Sequence, residues 1–137
     1  MQSTATDTEQ IIAWVTNPEA AERIARVGRK LANENHLELH IVSIQNAVRT
    51  DGWEQTVRDL DALNSAARSV QAELAVVYSD NRLEAAIKLI RQIAPKMMVT
   101  GMAGDQNRNS FISNLRVYSG DVPVYAVDPK GNMIKLM

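Results

Sequence analysis

Two segments of the chain combine residue types and spacing that could do chemistry. The first is Gly101-Met102-Ala103-Gly104, which follows the apolar run KMMVT and leads into Arg108-Asn109-Ser110. Two glycines at GxxG spacing let a backbone turn tightly and direct successive N–H groups at an anion. A helix starting near Ser110 adds unsatisfied N–H donors and the positive end of its dipole. The second segment is Thr16-Asn17-Pro18, which follows the apolar run QIIAWV and offers a hydroxyl and a side-chain amide. The same residues have plainer duties. Gly101 and Gly104 serve a tight loop, and Asn17 and Ser110 cap helices. On spacing alone the turn-and-cap reading is favoured.

Other constellations carry less. His36 and His40 are four apart, but in a turn and a strand, with no cysteine in the chain to complete a metal site. Asp59 and Asp61 fall on a helix, where charge marks a solvated face. Ser43 and Ser79 sit near strand ends as caps or pocket-rim hydroxyls. Ser110 and Ser113 have no histidine nearby in sequence, and no G-x-S-x-G turn is present, so nucleophilic catalysis has no support. Trp14, Met97 and Met98 read as core, and Met102 as pocket lining.

The elements that must position these groups follow from periodicity and punctuation. Gln10–Val15 is long enough for a strand buried on both faces. Asn17-Pro18 then starts a helix, with Ala21, Ile24, Gly28 and Leu31 on one stripe. Gly28 costs that helix about 1 kcal/mol relative to Ala, and close approach to a sheet is the compensation. Glu38–Ile44 is the second strand, and a helix from Trp53 to Ser69 follows, its stripe formed by Trp53, Val57, Leu60, Asn64 and Ala67. Ala72–Tyr78 is the third strand. Asn81 and Glu84 have capping-box spacing for a helix ended by Pro95. Lys96–Thr100 is the fourth strand, Ser110–Ser119 a short helix, and Val122–Val127 the fifth strand. The tail has turn residues at Pro129–Asn132 and an apolar end, suited to a hairpin along the fifth strand or an arm to a second subunit.

Strands alternating with helices in this way predict an α/β fold: a doubly wound five-stranded parallel sheet with helices on both faces. Its order is 3-2-1-4-5 or 2-1-3-4-5. Ligands of such sheets bind beyond the strand carboxyl ends where the order reverses. In the first order, that point brings Thr16-Asn17 beside Gly101–Gly104.

Composition narrows the field. The 137 residues suit one domain, read as 10–137 behind a disordered polar segment, 1–9. Fifteen basic and sixteen acidic residues give a net charge of -1, which argues against a polyanion-tracking surface and hence nucleic acid. No apolar run approaches the ~20 residues needed to cross a bilayer. The start of the chain has neither a basic nor an apolar signal region, so a cytoplasmic location is expected.

Three doubly wound families fail on required residues. VTNPEA has no glycine for a Rossmann turn, the P-loop pattern is absent, and the strand ends Thr16-Asn17 and Tyr78-Ser79 lack the aspartates of a receiver domain. The succession from QIIAWVTNPEAAERIARVGRKLANENHLELHIVSI to VTGMAGDQNRNSFISNLRVYSGDVPVYAV instead resembles the universal stress protein family over residues 10–128. The closing SGDVPVYAV looks especially like the universal-stress-like domain of potassium-sensing (Kdp) histidine kinases.

The resemblance implies the order 3-2-1-4-5, a homodimer through the edge strand Val122–Val127, and a pocket for ATP or another adenine nucleotide at the ends of strands one and four. It also implies a sensory or regulatory role without catalysis. The implied ligand residues are Thr16, Asn17, Gly101, Met102, Gly104, Arg108, Asn109 and Ser110. Two departures from the family pattern stand out. Thr16 or Asn17 replaces an acidic residue, and the loop pattern G-2x-G-9x-G-[ST] is shortened, with Asn109-Ser110 for Gly-Ser and Arg108 beside it as a phosphate clamp. The alternative reading is a dimerising interaction module with a degenerate, ligand-free pocket.

Overall fold

The computed structural model describes residues 9–15, 17–46, 52–101 and 120–136. Its strands are β1 (Gln10–Trp14), β2 (Glu38–Asn46), β3 (Glu73–Ser79), β4 (Met97–Gly101), β5 (Val124–Val127) and β6 (Met133–Lys135). Its helices are α1 (Ala21–Asn35), α2 (Gly52–Ser69) and α3 (Arg82–Ile93), with a 3-10 turn at Pro18–Ala20 before α1. The strands form one sheet in the order β3-β2-β1-β4-β5-β6. The first five are parallel, and β6 returns antiparallel along β5. This is the 3-2-1-4-5 order with a C-terminal hairpin. The expected helix at Ser110–Ser119 and residues 1–8 lie outside the described residues, whereas the Glu9 carbonyl accepts from the Glu38 N–H at 2.9 Å.

β1 is central because its side chains from Ile11 onward are apolar. Residues Ile11 to Val15 are at most 1% exposed. Ile11, Ala13 and Val15 face α1 and α2, packing with Ile24, Leu39, Leu63 and Val99. Ile12 and Trp14 face α3, packing with Val42, Met98, Val124 and Ala86. Trp14 is a core residue, and its indole N–H donates to Met98 Sδ at 3.2 Å, which answers the polar atom that burial would otherwise strand.

Caps fix where the helices begin and end. Asn17 Oδ1 accepts from the Glu19 N–H at 3.0 Å, and Pro18 opens the 3-10 turn. Asn81 Oδ1 likewise accepts from the Glu84 N–H at 3.0 Å. α1 closes on His36 and α3 on Ala94, both left-handed (φ 58° and 50°), with Pro95 blocking further helix. Gly28 earns its place on α1: a Cβ there would stand 2.9 Å from Leu39 Cδ1 and 3.5 Å from Ala13 Cβ. The helix therefore rests close against β1 and β2, and even a methyl there would have to displace the end of Leu39.

Two sequence expectations need correction. The buried face of α2 is Leu63, Ala66 and Ala67, while Trp53 is 78% and Val57 40% exposed and Asn64 faces water. Only the C-terminal half of α2 lies against the core, so a stripe drawn from Trp53 has the wrong phase. Second, Val122–Val127 does not supply the sheet edge. β5 is flanked by β4 and β6, and the outermost strand on that side is β6.

The β5–β6 turn is built by Asp128. Its Oδ1 accepts from the N–H groups of Lys130 at 2.9 Å and Asn132 at 2.8 Å, and its carbonyl accepts from Gly131 at 2.9 Å. Gly131, at φ 90°, takes the conformation that other residues resist. These donors, the Asn132 N–H foremost, hold the Asp128 carboxyl below the ordinary aspartate value.

Two measurements check this description. Gly28→Ala is expected to change stability by no more than about 1 kcal/mol, because helix propensity offsets a displaced Leu39 methyl. Gly28→Val should cost about 1–3 kcal/mol by overpacking, read by urea unfolding. For Asp128, the fold favours the ionised form, so its stabilisation of the hairpin is complete above the ordinary aspartate pKa. It is lost as pH falls through the lowered folded value. A carboxyl NMR titration should give an Asp128 midpoint below the ordinary aspartate value, and Asp128→Ala should speed amide exchange at Lys130 and Asn132.

Candidate functional site

The crevice to inspect lies where strand order reverses, between the carboxyl ends of β1 and β4. Register places Trp14 opposite Thr100 and Ala13 opposite Val99, so the two strands end side by side. Val15 is still tied to β2, donating to the Val42 carbonyl at 2.9 Å. Asn17 therefore emerges from β1 next to the strand end that carries Gly101. These are the two predicted site residues that the structure describes, and it brings them to neighbouring strand ends. Thr16, Met102, Gly104, Arg108, Asn109 and Ser110 lie outside the described residues.

Both described residues already have structural work. Asn17 is exposed, and its side-chain oxygen is engaged with Glu19. Its amide nitrogen is left for another acceptor. Gly101 makes room for α1: a Cβ there would stand 2.9 Å from Ile24 Cδ1. The first glycine of the GxxG pair thus has a packing reason of its own, since any side chain there would have to displace the end of Ile24. This also brings the first turn of α1 over the end of β4, so the helix N-terminal region and Gly101 belong to one end of the molecule.

Sequence reasoning missed two groups at that end. Thr100 is 2% exposed, and its hydroxyl donates to the Gly101 carbonyl at a long 3.4 Å. Arg23 precedes Ile24 in α1, and its Nε is buried with no hydrogen-bond partner among the described residues. An arginine donor in that condition suits an anion. Nothing in its spacing distinguished Arg23 from its neighbours Glu22 and Arg26, which pair with each other across one helical turn at 3.1 Å.

The other candidates resolve as structural. Ser43 is fully buried and accepts from Gln45 Nε2 at 2.6 Å. The Ser79 hydroxyl donates to the Asn81 carbonyl and accepts from its N–H, both at 3.0 Å, closing the turn before α3. Asp59 accepts from Gln55 Nε2 at 2.8 Å along α2. His40 Nδ1 lies 3.5 Å from Glu73, while His36 caps α1. No group of three or more His, Cys, Asp or Glu among the described residues is placed to hold a metal ion. No helix among them is long and apolar enough to cross a membrane. Two grooves lie away from the switch point: one of about 290 Å³ beside Arg29, Leu39 and Glu73, and one of about 400 Å³ between Arg26, Val27 and Lys30 of α1 and the turn at Gly131–Met133.

No protein-family model matches the chain, and no curated protein does. Solved structures do. A universal stress protein from Archaeoglobus fulgidus superposes with a TM-score of 0.66 at 15% identity, over 86% of this chain and 97% of that one. The fold is that of the universal stress proteins. The Archaeoglobus fulgidus protein in complex with dAMP superposes at 0.63 with 16% identity, covering 86% of this chain and 96% of the other. A universal stress protein in complex with cAMP superposes at 0.59 with 17% identity, covering 88% and 98%. At such identities the likeness establishes architecture, here nearly end to end on both sides.

The packing role of Gly101 has a direct test. Gly101→Ala is expected to destabilise the fold by about 1–3 kcal/mol through the forced contact with Ile24. Ile24→Val deletes the offending Cδ1, so the double variant should be more stable than the two single losses predict when added. Urea unfolding of the four proteins measures the coupling, and strict additivity would remove Ile24 from the explanation.

Proposed function

We propose that this chain is a universal-stress-protein-like regulatory or sensory domain that binds an adenine nucleotide at the β1–β4 switch point without turning it over. The observation that carries the reading is the convergence of Asn17 and Gly101 at neighbouring strand ends, in a fold whose solved members include complexes with dAMP and cAMP. Thr16 and Asn17 meet the base or ribose. Gly101, Met102 and Gly104 line the phosphate end, with Arg108, Asn109 and Ser110 supplying donors. The buried, unpartnered Nε of Arg23 supports an anion at the same end.

The chemistry on offer is recognition. Amides, hydroxyls and guanidinium groups bind phosphate and hydrogen-bond a base. The shortened loop offers fewer backbone donors than a triphosphate needs, which favours a monophosphate or cyclic nucleotide over ATP. The resemblance of SGDVPVYAV to the domain of potassium-sensing histidine kinases supports a sensory rather than metabolic use.

Thermal-shift titration with ATP, AMP, cAMP and cyclic di-adenylate tests the reading. A ligand at 100 times its dissociation constant should stabilise the fold by about 2.7 kcal/mol. Arg108→Ala should weaken the nucleotide but not adenosine. Absence of a shift with all four at millimolar concentration would overturn the proposal.

A further inference from the structure

Arg23 and Arg29 belong to the same helix, yet their guanidinium groups are in opposite conditions. Every nitrogen of Arg29 is engaged. Its Nε donates to the Val70 carbonyl at 3.0 Å, and its Nη atoms donate to the Gln71 carbonyl at 3.2 Å and to Asn33 Oδ1 at 3.3 Å. Those bonds tie α1 to the turn between α2 and β3. Arg23 is half-buried, and its Nε is shut off from water with no hydrogen-bond partner among the described residues. A charged donor withdrawn from water without a replacement acceptor costs free energy. Such a group is explained when a ligand brings the acceptor.

The neighbouring carboxylates do not answer Arg23. Glu22 is held by Arg26 at 3.1 Å, and no ion pair joins Glu19 to Arg23 among the described residues. Its position on the helix says where an acceptor would come from. Arg23 shares its side of α1 with Val27, four residues on. Val27 faces the Gly131–Met133 turn across the groove of about 400 Å³, to which Arg26 and Lys30 add two cations and no residue adds a carboxylate. Ile24, the next residue, fills the space beside Gly101. Arg23 therefore stands one turn nearer the helix start than this groove, at the level of the strand carboxyl ends.

We propose that Arg23 is the residue that reads the charge of the ligand, taking a phosphomonoester in its fork. Nε–H and one Nη–H donate to two phosphate oxygens, the bidentate geometry that a guanidinium offers and an ammonium does not. The charge-reading group then sits on α1 rather than in the segment after Gly101. This assignment rests on the nucleotide reading for what the phosphate is attached to, whereas the anion contact stands without it. A doubly charged phosphomonoester gains more from one guanidinium than a singly charged phosphodiester does. The anchor therefore favours AMP over cAMP and contributes nothing to adenosine.

NMR of the full chain with isotope-labelled arginine observes the group directly. The Arg23 Nε–H resonance, assigned by its loss in Arg23→Lys, should shift on addition of AMP and when inorganic phosphate replaces chloride at constant ionic strength. Adenosine should leave it in place, and the Arg29 resonance, already bonded, should stay fixed throughout. Arg23→Gln should raise the dissociation constant of AMP about tenfold or more, the range for a charge-assisted hydrogen bond, and leave that of adenosine unchanged. Arg23→Lys should recover part of the loss, because it keeps the charge without the fork. Thermal unfolding without phosphate separates an anchor from a brace. Arg23→Met should melt no lower than the wild type, since it breaks no bond, whereas Arg29→Met should melt lower. An Arg23 resonance that neither AMP nor phosphate moves, AMP binding that Arg23→Gln leaves unchanged, or a large loss of stability in Arg23→Met would each overturn the proposal. AMP that binds with Arg23 unmoved sinks the anchor and spares the nucleotide reading. Phosphate that moves Arg23, with AMP binding no tighter than phosphate, sinks the nucleotide reading and supports the anchor.

Discussion

The seating of α1 on the sheet is the constraint on which the rest of the structure depends. Two glycines permit it from opposite sides. Gly28, on the helix, lets the backbone settle against Leu39 and Ala13, and Gly101, on β4, admits the side chain of Ile24. Between these contacts α1 spans β2, β1 and β4 and seals one face of the central strand. A parallel strand can be wholly apolar only if both faces are covered. α3 covers the other, with Trp14 and Met98 at the centre of that layer. A methyl at either glycine would have to displace a side-chain end, Leu39 Cδ1 or Ile24 Cδ1, and bulkier residues would crowd the face of β1 beneath α1.

This packing also decides what the strand ends can offer. Because α1 is pressed down at Ile24, its first turn lies over the end of β4 beside Gly101. Asn17 and Gly101 are thereby brought to one end of the molecule. Asn17 shows the economy of the arrangement. Its side-chain oxygen holds the turn that starts the helix, and the amide nitrogen takes no part in that contact. The cap and the proposed ligand contact would use different atoms.

Much of this was legible in the residues themselves. The uniform apolar character of QIIAW identified a doubly buried strand, Asn17-Pro18 and Asn81 marked helix starts, and the cost of Gly28 in a helical stripe pointed to close approach. The universal stress protein order was implied by resemblance and is the order observed. The phase of α2 was not legible, since Trp53 and Val57 are hydrophobic yet lie on turns with no core beneath them. Arg23 was equally silent: a charged residue among charged neighbours shows nothing of its buried Nε until the chain is folded. At the candidate site, Asn17 and Gly101 could be named from local chemistry, but the duty of Gly101 toward Ile24 depends on a contact across 77 positions of sequence.

Residue patterns alone settled the α/β class, a first strand buried on both faces, the Asn17 and Asn81 caps and the turn residues of the tail, because each follows from periodicity or from the conformational limits of Asn, Pro and Gly over a few neighbouring positions. They left two strand orders open, and they offered both a hairpin and an exchanged arm for the tail. Only the tertiary structure decided that β6 folds back on β5 and becomes the edge. That outcome depends on how Leu136 meets the layer under α3 and how four polar groups of the Asp128 turn satisfy one another. Local patterns say what a segment prefers. Which surface it finally covers is settled by long-range packing, where the loss of water from many side chains at once outweighs any single preference.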